Sequence, residues 1–180
     1  MRYRFVQKTN DMEAISKSWS EIRLRINIDT TIDKVYRAWA TQAGLESWFL
    51  REAPVKDNKG KSKNGTDAMI KGDTYTWKWH GFSDDVALEG RVLETNGRDK
   101  FVFSFSMECP VTISIYKEHE QVIVELVEEN IPTEVAGPMF KHYLSNTTGW
   151  TFYLTNLKSV LEGGLDMRNF NVNLKNVITA

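Results

Sequence analysis

The sequence has little cysteine and little histidine. Its single cysteine, Cys109, excludes an internal disulfide framework and fits a reducing compartment, so we expect a cytoplasmic protein. The three histidines are His80, His119 and His142, and no H-x-x-x-H or C-x-x-C spacing occurs among these residues. A zinc site needs three or four converging ligands, so the spacing predicts no metal centre.

An excess of charge of either sign is also absent. Lys and Arg number 23 and Asp and Glu number 24, which leaves a net charge of −1. The chain therefore lacks the basic footprint of a nucleic-acid binder. No apolar run approaches the 18 residues of a membrane span, and the first thirty residues hold no apolar run of signal-peptide length. We expect neither nucleic-acid binding nor membrane insertion.

Phosphate-binding loops are missing as well. Gly163 and Gly164 follow an apolar helical pattern, so they end a helix and do not begin one. No nucleotide or other cofactor is expected.

What the chain has in abundance is aromatic residues: six Trp, six Tyr and nine Phe among 180 residues. The residues before Gly163 predict a helix over 138–162, because apolar positions recur three and four apart. This stripe comprises Phe140, Tyr143, Thr147, Trp150, Leu154, Leu157 and Leu161, with Thr147 as its only polar member. Asn146 is predicted to fall off the stripe. A helix of this length requires a wide surface to lie on.

Alternating apolar residues upstream predict that surface. Residues 21–28 alternate as one half-buried strand, and two short helices are predicted up to Trp39 and over 42–48. Residues 51–68 have loop composition. Further alternating strands are predicted at 74–80, 86–93, 101–106, 111–115 and 122–126.

No crossover helices separate these strands, so an antiparallel sheet is predicted. The fold class is α+β: a curved antiparallel sheet wrapped around a long C-terminal helix, with two short helices after the first strand. We expect an N-terminal extension at 1–20, one domain at 21–168 and a tail at 169–180. The tail is expected either to add an edge strand, against the extension, or to pair with another subunit.

Several segments together resemble a known family. They are DTTIDKVYRAWATQAGLESWF at 29–49, the W-x-W of residues 77–79, GRVLE at 90–94, FVFSF at 101–105 and GWTFYLTNLKSVLEGG at 149–164. This pattern is similar to the START-like, or polyketide-cyclase-like, superfamily, and within it to bacterial proteins resembling the C-terminal domain of the heat-shock protein 90 ATPase activator. The resemblance implies the helix-grip fold and a hydrophobic cavity between sheet and helix. It does not fix a ligand, because members include lipid carriers, cyclases and co-chaperone domains.

The candidate ligand-binding residues are those expected between helix and sheet. They are Trp48, Trp77, Trp79, Phe103, Phe105, Tyr143, Thr147, Trp150 and Leu154. These side chains either fill the core or line a cavity, and Trp48 and Phe49 either gate that cavity or cap the core. Gly90 and Gly149 favour a hollow, because they leave room beside the aromatic rings. Thr147 either orients a ligand or bonds the carbonyl one turn back.

Three functions follow from these residues. The first is non-catalytic binding of a small hydrophobic molecule, a lipid or an aromatic metabolite. The second is a co-chaperone-like regulator of a heat-shock protein 90 type ATPase. The third, a cyclase or hydrolase, would require an inward carboxylate or histidine with a shifted pKa. Glu89 and Arg91 alternate outward, and we find no inward carboxylate in the apolar strands, so catalysis is disfavoured.

Overall fold

The structure, a computed structural model, describes residues 19–132, 138–174 and 177, with the backbone alone at 138–140. The predicted N-terminal extension therefore lies outside the described residues except for Trp19 and Ser20. The side chain of Phe140, from the predicted helical stripe, lies outside them too.

Within the described residues, seven strands form a single antiparallel sheet in the order β1-β7-β6-β5-β4-β3-β2. The strands are β1 (Ile22–Ile28), β2 (Val55–Lys56), β3 (Thr74–Trp77), β4 (Leu88–Thr95), β5 (Lys100–Ser104), β6 (Pro110–Glu118) and β7 (Gln121–Glu128). The helices are α1 (Ile32–Ala40), α2 (Gln42–Trp48) and α3 (Pro138–Leu161), and a short 3₁₀ turn covers Ser106–Glu108. The open, curved sheet and the long C-terminal helix confirm the predicted helix-grip fold.

Two threonines begin the short helices. Thr31 accepts a hydrogen bond from the backbone nitrogen of Lys34, and Thr41 accepts one from that of Gly44. These bonds satisfy amides that a helix leaves unpaired in its first turn. Thr31 is thus the N-cap of α1. The predicted span of α2 is confirmed.

The long helix α3 ends one residue before its predicted end, and Gly163 follows with a φ of 81°. Its buried side carries Trp150, Tyr153, Leu154 and Leu157. The prediction that Thr147 is the only polar residue on this side is wrong. Asn156 is fully buried on the same side, and Asn146 is turned inward to bond the sheet.

Aromatic rings from every layer meet between α3 and the sheet. The Trp150 ring lies 6.4 Å from that of Phe103 and 4.7 Å from that of Phe105, centroid to centroid. Trp77 contacts Phe103 edge-on at 5.2 Å. Trp77 and Phe103 are fully buried, so both point into the interior, as the sequence pattern predicts.

Two predictions fail outside this core. The segment predicted as loop at 51–68 contains the two-residue edge strand β2. In the tail, residues 169–174 form a turn and no strand, and Phe170 packs on His80 with ring centroids 4.3 Å apart. The edge strand is therefore wrong for the described part of the tail, and pairing with another subunit stays a prediction. Phe170 also has the Arg168 guanidinium over its ring, so contacts to the domain hold the tail where a strand was expected.

Candidate functional site

An apolar pocket of about 210 Å³ lies between α3 and the aromatic end of the sheet, open on one side. It is lined by Phe49, Trp79, Phe82, Val86, Phe105, Ser145, Asn146, Gly149, Trp150 and Tyr153. Phe82 and Val86 are 39% and 43% exposed, so they lie at its mouth. Phe49 and Trp150 are buried and form its inner wall. Apolar side chains of this kind around a concave space are typical of a small-molecule site.

The structure brings only part of the predicted site to this pocket. Among the nine candidates, Trp79, Phe105 and Trp150 line it. Trp48, Trp77, Phe103 and Leu154 are buried in the packed core beside it. Because Trp48 is fully buried, it caps the core, and its neighbour Phe49 is the residue that reaches the pocket.

The two remaining candidates, on α3, have other contacts. Tyr143 packs edge-on against Trp19 with ring centroids 4.9 Å apart. Thr147 donates to the carbonyl oxygen of Tyr143 across 2.7 Å, which confirms the backbone-bonding alternative. Thr147 also borders a separate shallow groove on another side of the helix.

Of the two glycines expected to leave room beside the aromatic rings, one lines the pocket and the other does not. Gly149 lines the pocket, as expected of a helix position without a side chain. A Cβ atom at Gly90 would lie 2.5 Å from the hydroxyl oxygen of Tyr75 and 2.6 Å from two of its ring carbons. The space at Gly90 is therefore filled by the Tyr75 ring, and the prediction that it leaves room for a ligand is wrong.

A buried carboxylate lies directly behind the pocket wall. Glu128, the last residue of β7, is 0% exposed. Its Oε2 accepts a hydrogen bond from Trp150 Nε1 and its Oε1 one from Asn146 Nδ2, each at 2.7 Å. His142 Nε2 lies 3.5 Å from Oε1. The prediction that the apolar strands hold no inward carboxylate is thus wrong.

The sequence contained the signal for this residue. Val122, Val124 and Leu126 alternate inward along β7, and one more step of the same period reaches Glu128. On α3, His142, Asn146 and Trp150 are each four apart, which places their side chains on one face above Glu128. The alternation along β7 predicts an inward position for Glu128 only when it is extended from apolar to charged residues.

Burial sets the electrostatics of this cluster. Loss of water raises the pKa of Glu128, and the hydrogen bonds from Trp150 and Asn146 offset only part of that rise. Cys109 is buried close by, and burial, together with the charge of Glu128, raises the pKa of its thiol to about 11. Cys109 at neutral pH is therefore a thiol and not a reactive thiolate.

A second polar group that the sequence did not indicate is Arg168. It is 8% exposed and donates to the carbonyl oxygens of Glu46, Ser47 and Leu50, at the end of α2. Asp166 holds the guanidinium in place with two-pronged hydrogen bonds.

Asn156 joins Arg168 and Asp166 in a hydrogen-bonded cluster below α2, which we call the clasp. Its Nδ2 donates to the Trp48 carbonyl oxygen across 2.7 Å and its Oδ1 accepts from the backbone of Met167. The Trp48–Phe49 corner is therefore fixed from below, which positions Phe49 in the pocket wall.

A family model described as Activator of Hsp90 ATPase homolog 1-like protein matches residues 29–162. The chain belongs to this family. The match includes α1, all strands but β1, and the long helix α3, which are the elements that build the pocket. It supports the START-like superfamily predicted from the motifs. No curated protein matches the chain.

Solved structures share the fold of this chain. Protein SSP2350 from Staphylococcus saprophyticus is 18% identical with a TM-score of 0.64, over 82% of this chain and 96% of that one. An Aha1 dimer from Colwellia psychrerythraea is 18% identical with a TM-score of 0.61, over 80% and 97%. DynU16, a putative protein in the dynemicin biosynthetic locus, is 17% identical with a TM-score of 0.62, over 84% and 50%. At these identities the likeness establishes the fold alone.

Among the helices within residues 19–132 and 138–174, none combines the length and the apolar character that crossing a bilayer requires.

Proposed function

We propose that this protein binds a small apolar or aromatic molecule, without catalysing a reaction, in the pocket between α3 and the aromatic end of the sheet. The observation that carries the proposal is the pocket itself. Its wall is apolar except for Ser145 and Asn146 on α3, and it opens to solvent beside Phe82 and Val86. A ligand would place its apolar body against the rings and any polar atom toward Asn146.

The volume limits the ligand. Pockets for drug-sized molecules have about 300–1,000 Å³, and a dry cavity of about 150 Å³ accommodates one benzene molecule. At about 210 Å³ this pocket suits one aromatic ring with small substituents, or a short acyl chain. A whole phospholipid would not fit inside. Burial of roughly 150 Å² of apolar ligand surface would supply about 4 kcal/mol before the costs of association are subtracted.

Catalysis has one observation in its favour, the raised pKa of the buried Glu128. A catalytic carboxylate must reach the substrate. Both oxygens of Glu128 accept hydrogen bonds from Trp150 and Asn146, and its side chain is closed off from the pocket. This arrangement supports a binding role over a cyclase or hydrolase.

Family membership favours a second candidate, a co-chaperone-like regulator of a heat-shock protein 90 type ATPase. The two functions use different parts of the molecule, since a chaperone would contact the outer surface. Mixing the chain with a bacterial chaperone of this class would then change the rate of ATP hydrolysis. An unchanged rate and no recovery of the chaperone in a pull-down would remove this candidate.

The test of ligand binding is a titration of the full chain with single-ring aromatic compounds and short-chain fatty acids, followed by tryptophan emission. Val86→Glu places a charge at the pocket mouth and should weaken binding at least tenfold. Ile70→Glu is the matched control, because Ile70 is also exposed and apolar but lies outside the pocket. Equal affinities of the two variants, or no response to any compound, would contradict the proposal.

A further inference from the structure

Three residues with metal-binding side chains converge at the polar end of α3. Cys109 follows the 3₁₀ turn, Glu128 ends β7, and His142 lies in the second turn of α3. One ligand atom from each lies within 4.8 Å of the others. Cys109 and Glu128 are buried and His142 is half-buried. Because the residues come from three different segments, the spacing rules that predicted no metal centre could not detect them.

The spacing of two of these atoms already matches a metal site. Zinc lies about 2.0–2.2 Å from carboxylate oxygen and imidazole nitrogen, which sets two such ligands about 3.3 Å apart in a tetrahedron. Glu128 Oε1 and His142 Nε2 are 3.5 Å apart. Cys109 Sγ would have to approach by roughly 1 Å to complete the set at the longer zinc–sulfur distance.

The carboxylate is held in the orientation that this geometry needs. Trp150 Nε1 donates to Oε2 of Glu128, which fixes the plane of the group and leaves Oε1 facing His142. Partners of this kind in the second layer orient the ligands of known metal sites.

A side-chain amide lies beside the place where an ion would lie. Asn146 Nδ2 is 2.7 Å from Glu128 Oε1 and 3.0 Å from His142 Nε2, so its hydrogens bridge the two candidate ligands. Ser106 Oγ adds a third acceptor at 3.4 Å from the same nitrogen. One donor group is thus surrounded by acceptors, an arrangement that also suits a cation. A half-turn of the amide would present Oδ1 to that cation in place of Nδ2.

We propose that Cys109 Sγ, Glu128 Oε1 and His142 Nε2 bind one Zn²⁺ ion, and that the thiol proton of Cys109 is released to solvent as the Zn–S bond forms. The fourth position is taken by Asn146 Oδ1 or by water. Zinc fits this donor set because it accepts thiolate, imidazole and carboxylate together in tetrahedral geometry, whereas magnesium and calcium require oxygen ligands. Three protein ligands and one exchangeable position form the pattern of an open zinc site. The proposal is independent of ligand binding in the apolar pocket.

The experiment is metal titration of the chelator-stripped full chain. Cobalt serves as the spectroscopic probe, because a cobalt–thiolate bond gives a charge-transfer band, and zinc affinity follows from its displacement of cobalt. We expect one ion per chain and a thiolate band. Cys109→Ala, Glu128→Gln and His142→Gln should each weaken zinc binding at least 100-fold. His80→Gln and His119→Gln remove histidines outside the cluster and should bind zinc as the parent chain does.

The thermal stability of each variant without metal distinguishes the loss of a zinc ligand from the loss of the fold. Each variant is melted with chelator and with zinc, and a ligand that binds only the folded chain raises the midpoint. Zinc should raise the midpoint of the parent chain and of the two control variants but not that of the three cluster variants. Three results would overturn the proposal: uptake of less than one ion per chain, a cobalt spectrum without a thiolate band, or equal zinc affinity in cluster and control variants.

A proton in place of the metal is the competing occupant. Infrared spectroscopy would then detect the carbonyl stretch of a protonated carboxyl group that vanishes in Glu128→Gln. If this band persists in the parent chain at neutral pH with zinc in excess, Glu128 is not a ligand and the site is refuted.

Discussion

Trp150 Nε1 donates a 2.7 Å hydrogen bond to Oε2 of Glu128, and both side chains are buried. The same Trp150 ring forms part of the pocket wall. The polar edge of one indole thus satisfies a buried carboxylate while its apolar face remains available to a ligand. A buried acceptor that loses its donor costs about 1–3 kcal/mol, so this bond makes a measurable difference to stability.

Trp150→Phe tests that bond. The variant should lower the free energy of unfolding by about 1–3 kcal/mol beyond the effect of ring size, measured by urea denaturation with chelator present. Trp79→Phe changes ring size equally at another pocket position and serves as the control. In a Glu128→Leu background the cost of Trp150→Phe should shrink, because no acceptor is left unpaired. If Trp150→Phe costs no more than Trp79→Phe, the bond is not stabilising.

Arg168→Lys tests the clasp below α2. Lysine keeps the charge but cannot direct several N–H groups at the carbonyl oxygens of Glu46, Ser47 and Leu50. We expect a loss of about 1–3 kcal/mol in unfolding free energy. Arg98→Lys is the matched control, since Arg98 is 79% exposed and pairs with its neighbour Asp99. Equal stability of the two variants would contradict the role of Arg168.

His80 gives the protein a pH dependence. Burial lowers its pKa and the nearby charge of Arg168 lowers it further. The unfolded chain, with a histidine pKa of about 6.5, therefore binds the proton more tightly than the folded chain. The free energy of unfolding is therefore greatest above a pH of about 6.5. It decreases as the pH falls through that value, and it levels off below the pKa of His80 in the folded chain.

NMR titration of the His80 ring measures its pKa in the folded chain directly. Denaturation at pH values of about 7.5 and 5.5 measures how the free energy of unfolding depends on pH. The difference between the two free energies should diminish in His80→Asn. A pKa of His80 in the folded chain that equals its value in the unfolded chain would show the interpretation to be wrong.

Gly149→Ala separates stability from binding. Alanine in place of glycine inside a helix contributes up to about 1 kcal/mol of stability. The new methyl group enters the pocket that Gly149 lines, so affinity for a ring-sized ligand should fall as the melting temperature rises. Thr148→Ala, at an exposed neighbouring position, should leave affinity unchanged. If Gly149→Ala binds as the parent chain does, no ligand reaches this wall.

Gly90→Ala should be destabilising by about 1–3 kcal/mol, because the added carbon would overlap the ring of Tyr75. Gly65→Ala is the control, since the nearest atom to a Cβ there is 4.0 Å away. Tyr75→Leu should partly rescue Gly90→Ala by removing the overlapping ring. Failure of that rescue in chemical denaturation would place the cost elsewhere.

The sequence predicted the sheet and the helices well, because their signals are periodic. Alternation located the strand interiors, and Gly163 marked the helix end. The two-residue strand β2 is too short to produce a period, so the sequence pattern predicts a loop there.

The site was predicted less well, for a different physical reason. A row of aromatic residues fits a filled core as well as a cavity, and only packing decides between them. Trp77 and Phe103 are packed within the core, whereas Phe49 and Tyr153 line the pocket. Arg168 had no signal at all: one arginine after a helix does not reveal which carbonyl oxygens it will bond. Glu128 did have a signal, in the phase of β7.

The pairing of β1 with β7 has a consequence for how the chain acquires its shape. Ile22 stands opposite Glu128, a separation of on the order of a hundred residues, and contacts between such distant positions form slowly. Local hairpins such as β6–β7 can assemble early, while the first strand must wait for the end of the last. Refolding followed by tryptophan emission should therefore show a late phase, when the N-terminal edge finally joins the sheet.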